Sequence, residues 1–334
     1  MVIKMRLLAL LLLFVYLFNT DVYSQDFNIT ETVSVPIQLV DNDELIKIDA
    51  IFESPSAEIA SVLPSTFQSF YEADWNRTRN LIAQLKRADP SDPFPHFLSA
   101  MIPFWTYFFG GNEPEVAQQF LELSSEAIKI GEKRLEMVPT DTSAILLLSG
   151  LHGYRSLVAA REKQYRIAMS SGITGYSFTK TLLKMNDRDP NTLMGQGVFH
   201  YMVGSIPAEV RWMVRLAGLS GSKEQGLEML EAAALSDSHV SNDARMFLSH
   251  LYEQEGRFTD AQRHLLVLSH KYPTNLIFLY NLARMHEAKK QSKDAELAYK
   301  RVLSTPTNEL NILHVLSSNR LKELESSPLK NASY

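Results

Sequence analysis

The sequence predicts an all-α chain: a right-handed solenoid of stacked helical hairpins, about six repeats long, closed by a C-terminal capping helix. Three observations predict it. Apolar residues recur at helical spacing from about Ala57 onward, prolines fall at the joints between such stretches, and two successive stretches near the C-terminus repeat one pattern of small and large residues. With 334 residues, 45% of them hydrophobic, the chain has the composition of a folded protein and the length to build an extended core.

Taken in chain order, residues 1–24 read as a signal peptide. Lys4 and Arg6 precede an apolar run from Leu7 to Phe18, and Val22 and Ser24 supply the short side chains expected three places and one place before a cleavage site. That run is shorter than the roughly 20 apolar residues a spanning helix needs. A cleaved leader with no transmembrane span in the mature chain is therefore expected, and with it a periplasmic or secreted protein. Residues 25–57 read as an extended N-terminal arm, with one short strand around Thr32-Val33-Ser34-Val35 before Pro36. Residues 58–325 form the repeat domain, and 326–334 read as a frayed tail.

Composition removes several functional classes. The chain has no cysteine, which excludes a disulfide framework, a thiolate metal site and a cysteine nucleophile. A formal charge of -5 gives no reason to expect nucleic acid as a partner. Charge is nevertheless uneven. Asp26 to Asp74 contains ten acidic residues against the single basic Lys47, whereas Arg257 to Arg301 contains nine basic residues against four acidic ones.

The repetition is clearest in residues 241–274, where Leu248, Ser249, Tyr252, Gly256, Ala261, Leu265 and Pro273 occupy successive places of a tetratricopeptide repeat. Ser249 and Ala261 are small where two helices cross, Gly256 allows the tight turn between them, and Pro273 ends the second helix. Residues 275–307 repeat the order with Leu282, Ala283, His286, Ala295, Tyr299 and Pro306. Earlier joints fall at Pro90, Pro139, Pro190 and Ser238, at wider spacing, so the first units need longer helices or insertions. Glu115 to Met137 reads as one long second helix. Tyr154 to Met185 reads as another, unbroken or interrupted around Gly172 to Gly175. An amphipathic insertion from Ser205 through Trp212 to Gly221 separates the helices of the fourth unit, and a final helix from about Asn308 to Glu323 caps the stack.

The run Gly195-x-Gly197-Val198-Phe199-His200-Tyr201, then Ser205-Ile206-Pro207, Leu216-Ala217-Gly218-Leu219-Ser220-Gly221 and Gly226-Leu227-x-x-Leu230-x-x-Ala233 resembles the tetratricopeptide repeat protein 39 family. That family includes a fungal mitochondrial outer-membrane protein implicated in clearing inclusion bodies. The resemblance spans roughly residues 60–305. It implies a helical-repeat adaptor and offers no catalytic residues to carry over. The chain departs from its eukaryotic relatives in beginning with an export signal, whereas they face the cytosol.

No pattern of catalysis is complete. His286-Glu287 lacks the second histidine of a zinc-protease motif, and Gly218-Leu219-Ser220-Gly221-Ser222 lacks the last glycine of a hydrolase elbow. Gly195-Gln196-Gly197 lacks the third glycine of a dinucleotide fingerprint. No catalytic, metal or cofactor residue is assigned, and no cofactor is expected.

Two binding modes follow instead. In the first, a protein or peptide partner lies on a concave surface lined by the first helix of each repeat; Met246, His250, Glu253, Tyr280, Asn281, Arg284 and Glu287 project there in the consensus register. In the second, an apolar small molecule or lipid occupies a groove. Phe104, Trp105, Tyr107, Phe108 and Phe109 crowd one helix end before Gly110-Gly111, and Phe104, Trp105 and Phe108 together with Trp212 are the candidate lining.

Overall fold

The computed structural model describes residues 57–182, 184, 189–205, 212, 220–307 and 309–326. The leader, nearly all of the arm with its expected strand, most of the insertion and the tail beyond Ser326 lie outside the described residues. Among the described residues there are thirteen helices and no strand. They form six hairpins: α1 (Ala57–Tyr71) with α2 (Trp75–Ala88), α3 (Pro93–Trp105) with α4 (Pro114–Met137), α5 (Thr142–Arg161) with α6 (Tyr165–Leu182), α7 (Pro190–Gly204) with α8 (Lys223–Ala234), α9 (Val240–Gln254) with α10 (Phe258–Lys271), and α11 (Leu276–Ala288) with α12 (Ser292–Ser304). A last helix, α13 (Asn311–Ser326), caps the stack, and a π-helical turn, Thr106–Gly111, extends α3.

The hairpin turns share one backbone design. Ala73, Lys163, Gly256 and Lys290 each stand two residues before the second helix of a pair with φ between 58° and 70°. Each turn carries the same two bonds: Gly256 N–H donates to the Glu253 carbonyl and Arg257 N–H to that of Tyr252, with matching pairs at 73–74, 163–164 and 290–291. These bonds satisfy the carbonyls that a helix end leaves open, and they require a left-handed residue. Starts are equally regular. Asp74, Asp92, Asp141, Asp189, Ser222 and Asn275 each accept a backbone N–H from the first turn of the helix they precede.

Two sequence expectations are corrected. The stretch expected as one helix from Tyr154 to Met185 is two helices, broken at Glu162-Lys163-Gln164 and not at Gly172 to Gly175. Gly175 lies inside α6, where it crosses α5: a Cβ there would stand 3.1 Å from that of His152. Pro190, expected at a joint between units, stands there as the first residue of α7. The cap begins at Asn311 and runs to Ser326.

Helices α7 and α8 meet backbone to backbone. A Cβ on Gly197 would come within 2.7 Å of Leu230 Cγ and 2.9 Å of the Gly226 carbonyl, and Gly204 and Gly226 are equally confined. Gly197, Gly204, Gly221 and Gly226 are thus places of close backbone approach, whereas Gly195 has open space around its Cβ position.

The stack turns back on itself. The Tyr71 hydroxyl, at the end of α1, donates to Asp243 of α9 at 2.7 Å, and the Asn275 side chain donates to the Tyr71 carbonyl at 2.8 Å. Phe67 stacks on His239 with ring centroids 4.0 Å apart, and Arg79 of α2 pairs with Glu309 before the cap. This closure brings the aromatic end of α3 into the hollow formed by the later hairpins.

Candidate partner-binding surface

The residues expected on the concave face belong to α9 and α11, one turn apart along each helix, so helical periodicity does bring them together. Their neighbours are other parts of the same chain. Met246 is 1% exposed and belongs to the core. His250 meets the rings of Phe108 and Phe109 edge-on at centroid distances of 5.2 and 6.0 Å. Asn281 donates through Nδ2 to the Phe109 carbonyl at 3.0 Å and to the Ile277 carbonyl at 2.8 Å, while Arg284 donates to its Oδ1 at 3.0 Å. Arg284 also pairs with Glu253. Glu287 accepts from the Tyr299 hydroxyl at 2.8 Å and pairs with Arg320 of the cap. Tyr280 is half-buried beside Tyr299.

The electrostatics follow from this crowding. Burial, with the Arg161 and Arg284 cations close by, pushes the His250 imidazole down to about 3, so it is neutral at ordinary pH. Burial also raises the Glu253 carboxyl, against the pull of Arg284. At Glu287 burial pushes the same way, but the bonds from Arg320 and Tyr299 outweigh it and hold the carboxyl below its usual range. The charged groups of the hollow are matched internally, leaving Glu253, Tyr280 and Arg284 only partly exposed at its edge.

The hollow is filled by the aromatic end of α3. Phe104 is 0% exposed, Trp105 2% and Phe108 5%, so they do not line an open groove. Phe104 stacks on Tyr154 at 4.6 Å, Trp105 meets Phe278 edge-on at 5.8 Å, and Phe109 meets Phe247 at 5.5 Å. The sequence expectation fails because the partner rings come from α5, α9 and α11, far along the chain. Each fully buried Phe stabilises the fold by roughly 1.5–3 kcal/mol, which makes this cluster a closing element. Trp212 is half-exposed and makes no ring contact with the other three residues. Next to Phe108, a cleft bordered by Leu157, Val198, Met202 and Leu251 encloses about 20 Å³, room for roughly one water molecule and none for a lipid.

Several interhelix ties escaped sequence reasoning. Tyr107 donates to Glu162, Tyr201 to Glu255 and Tyr252 to Glu231, each between helices of different hairpins or across a turn, with Arg161, Lys223 and Arg263 as nearby cations. Glu231 also meets His264, whose side chain is wholly buried. The tyrosines occupy ordinary core positions in the helical pattern, and only their hydroxyl ends distinguish them. No group of three or more histidine, aspartate or glutamate side chains among the described residues is placed to hold a metal ion. No helix among them is long and apolar enough to cross a membrane.

Residues 189–322, from the start of α7 well into the cap, match the family model for Iml2/Tetratricopeptide repeat protein 39. The resemblance read from the glycine run thus meets a family model over the C-terminal part of the chain. No curated protein matches the sequence. Together with the helical hairpins, the match indicates a protein-interaction scaffold built of tetratricopeptide-like repeats.

Proposed function

We propose that this chain, whose residues 189–322 match the Iml2/Tetratricopeptide repeat protein 39 family, is a non-enzymatic scaffold that is exported behind a cleaved leader and holds a protein partner on its surface. The observation that carries the reading is the filled hollow. Phe104, Trp105 and Phe108 fill the centre of the described helices with the chain's own rings, which favours a partner held on the outer surface. The Asn281 to Phe109 bond moves the partner away from the concave residues, since those groups already hold the chain's own turn.

The test is chemical cross-linking of the tagged full-length chain in its native setting, followed by purification and mass spectrometry. A single protein recovered in near-stoichiometric amount supports the scaffold, and recovery of nothing above background overturns it. Export is tested separately on the same material. An N-terminus at Gln25 in the exported fraction is expected, whereas full-length chain retained inside the cell contradicts the leader.

A further inference from the structure

The stack closes through a carboxyl group that has no cation paired with it among the described residues. Asp243 of α9 accepts from the Tyr71 hydroxyl at 2.7 Å; its Oδ1 takes no hydrogen bond, and neither oxygen an ion pair, among those residues. An enclosed carboxylate without an opposite charge is costly, and burial lifts this one to about 7. The titratable groups that feel its charge are phenols, each raised by burial and by Asp243: Tyr71 of α1, Tyr154 of α5 and Tyr272 at the end of α10. Lys271 and Glu72 act on His239 and Tyr272 rather than on Asp243.

From Asp243 a circuit of side chains runs round through four helices. Phe67 of α1 stacks on His239, just before α9, at 4.0 Å and meets Phe94 of α3 at 5.7 Å, and Phe94 meets Phe97 at 6.3 Å. Phe97 and Tyr154 stand 3.8 and 3.7 Å from the place a Cβ on Gly150 would take, so both rings border the same glycine. Tyr154 leads back to Asp243, and the His239 carbonyl, 3.1 Å from the Tyr71 hydroxyl, completes the circuit. Phe67, Phe94, Phe97, Tyr154 and Asp243 are all partly exposed and His239 is exposed, so the circuit surrounds a cup that water reaches. Among the described residues no cation of the chain lies over the rings of Phe67, Phe94, Phe97 or Tyr154.

We propose that this cup binds an organic ammonium ion alkylated at nitrogen, with Asp243 supplying the opposite charge and Phe67, Phe94, Phe97 and Tyr154 the aromatic wall. Ring faces carry negative potential and attract cations, and the alkyl groups suit an apolar wall that a bare, strongly hydrated ammonium does not. A half-buried ring at the edge of a core is ordinary, but an unpaired acid enclosed by such rings is complementary to a cation of this kind. The inference goes beyond the scaffold reading and stands without it. Two sources share this chemistry: a free small molecule and a methylated lysine of a partner protein.

The experiment is calorimetric titration of the full-length chain with choline, with dimethylbutanol as its uncharged carbon analogue, and with a short peptide carrying trimethyllysine. The cations are expected to bind, and dimethylbutanol at least tenfold more weakly. A peptide that binds more tightly than choline assigns the cup to a partner's lysine, and the reverse order assigns it to a free molecule. A cation favours the ionised acid, so choline affinity is expected to rise about tenfold from pH 6 to 8 as Asp243 loses its proton. His239, held below its usual range by burial and Lys271, is largely neutral across that window. Asp243→Asn keeps the shape of the side chain and is expected to lose at least tenfold in choline affinity and all of its pH dependence, without lowering the melting temperature at pH 8. Phe97→Leu is expected to weaken choline at least threefold and to leave the pH dependence in place. Equal binding of choline and dimethylbutanol, undiminished affinity in Asp243→Asn, or no binding of either cation overturns the proposal.

Discussion

The side-chain amide of Asn281 donates to the main-chain oxygen of Phe109 at 3.0 Å. A residue whose place in the repeat points it at a ligand is thus bound to a turn of its own chain. The bond fastens the π-helical end of α3 into the hollow of the last two hairpins and links parts of the fold that local helix formation leaves separate. Replacing Asn281 with Ala leaves two buried carbonyls without this donor and is expected to cost about 1–3 kcal/mol in urea unfolding. Phe109→Ala, which empties the same site of a ring, is expected to cost about 3–5 kcal/mol.

The left-handed turn residues offer the opposite result. Ala73, Lys163 and Lys290 hold φ values near 58° that suit glycine, which Gly256 already supplies in its own turn. Lys163→Gly and Ala73→Gly are each expected to stabilise the protein by about 0.5–1 kcal/mol, the relief of left-handed strain being partly offset by a freer unfolded chain. Gly256→Ala is expected to destabilise by a similar amount. Thermal unfolding of the three variants checks the shared turn design, and a loss of stability in both glycine variants would refute it.

The crossing of α7 and α8 predicts a contrast between two glycines two residues apart. Gly197→Ala drives a methyl group into Leu230 and the Gly226 carbonyl and is expected to cost about 1–3 kcal/mol. Gly195→Ala meets nothing and lies within a helix, so it is expected to add about 0.5–1 kcal/mol. Parallel denaturation curves decide this, and equal effects would argue against the close crossing.

Acid should loosen the fold through its buried histidines. His250 is pushed down to about 3 by burial and nearby cations, and His152 to about 4 by burial and Arg155, against about 6.5 in the unfolded chain. The unfolded state therefore binds more protons below about pH 6.5, and stability from these two groups falls as pH drops from there toward 4. Asp243 runs the other way. Burial lifts its carboxyl to about 7, so the folded state holds that proton more tightly between about pH 4 and 7 and gains stability as pH falls. Asp243→Asn is expected to remove this opposing gain and steepen the acid loss, while His250→Gln is expected to flatten it. Melting temperatures between pH 4 and 8 check both signs.

What the sequence made readable was local. Ser249, Gly256, Ala261 and Pro273 lie within one hairpin, and their sizes and spacing carry the geometry of that hairpin directly. The turn at Lys163 was missed because a lysine stands where the conformation suits glycine, which left Gly172 and Gly175 as the only visible candidates for a break. The residues expected on the concave face do share two helices, but the segment of the same chain that packs against them was not foreseen. Periodicity reports which side of α11 bears Asn281 and is silent about a segment 172 residues away that packs there. The same limit hid the Tyr71 to Asp243 contact, which closes the stack across 172 residues. An aromatic run such as Phe104 to Phe109 reads equally as a groove or as the plug of one until its neighbours are known.

The filled hollow can be tested with one cross-link, because the chain contains no cysteine of its own. A Cβ on Gly111, at the end of the π-helical turn, would stand 3.6 Å from the Cβ of Ile312 in the cap, within the usual separation across a disulfide. The double variant Gly111→Cys with Ile312→Cys is expected to close this bond under mild oxidation, seen as a faster band on a non-reducing gel and a loss of titratable thiols. Two thiols that stay free and freely alkylated in the folded protein would show that the aromatic turn does not occupy the hollow.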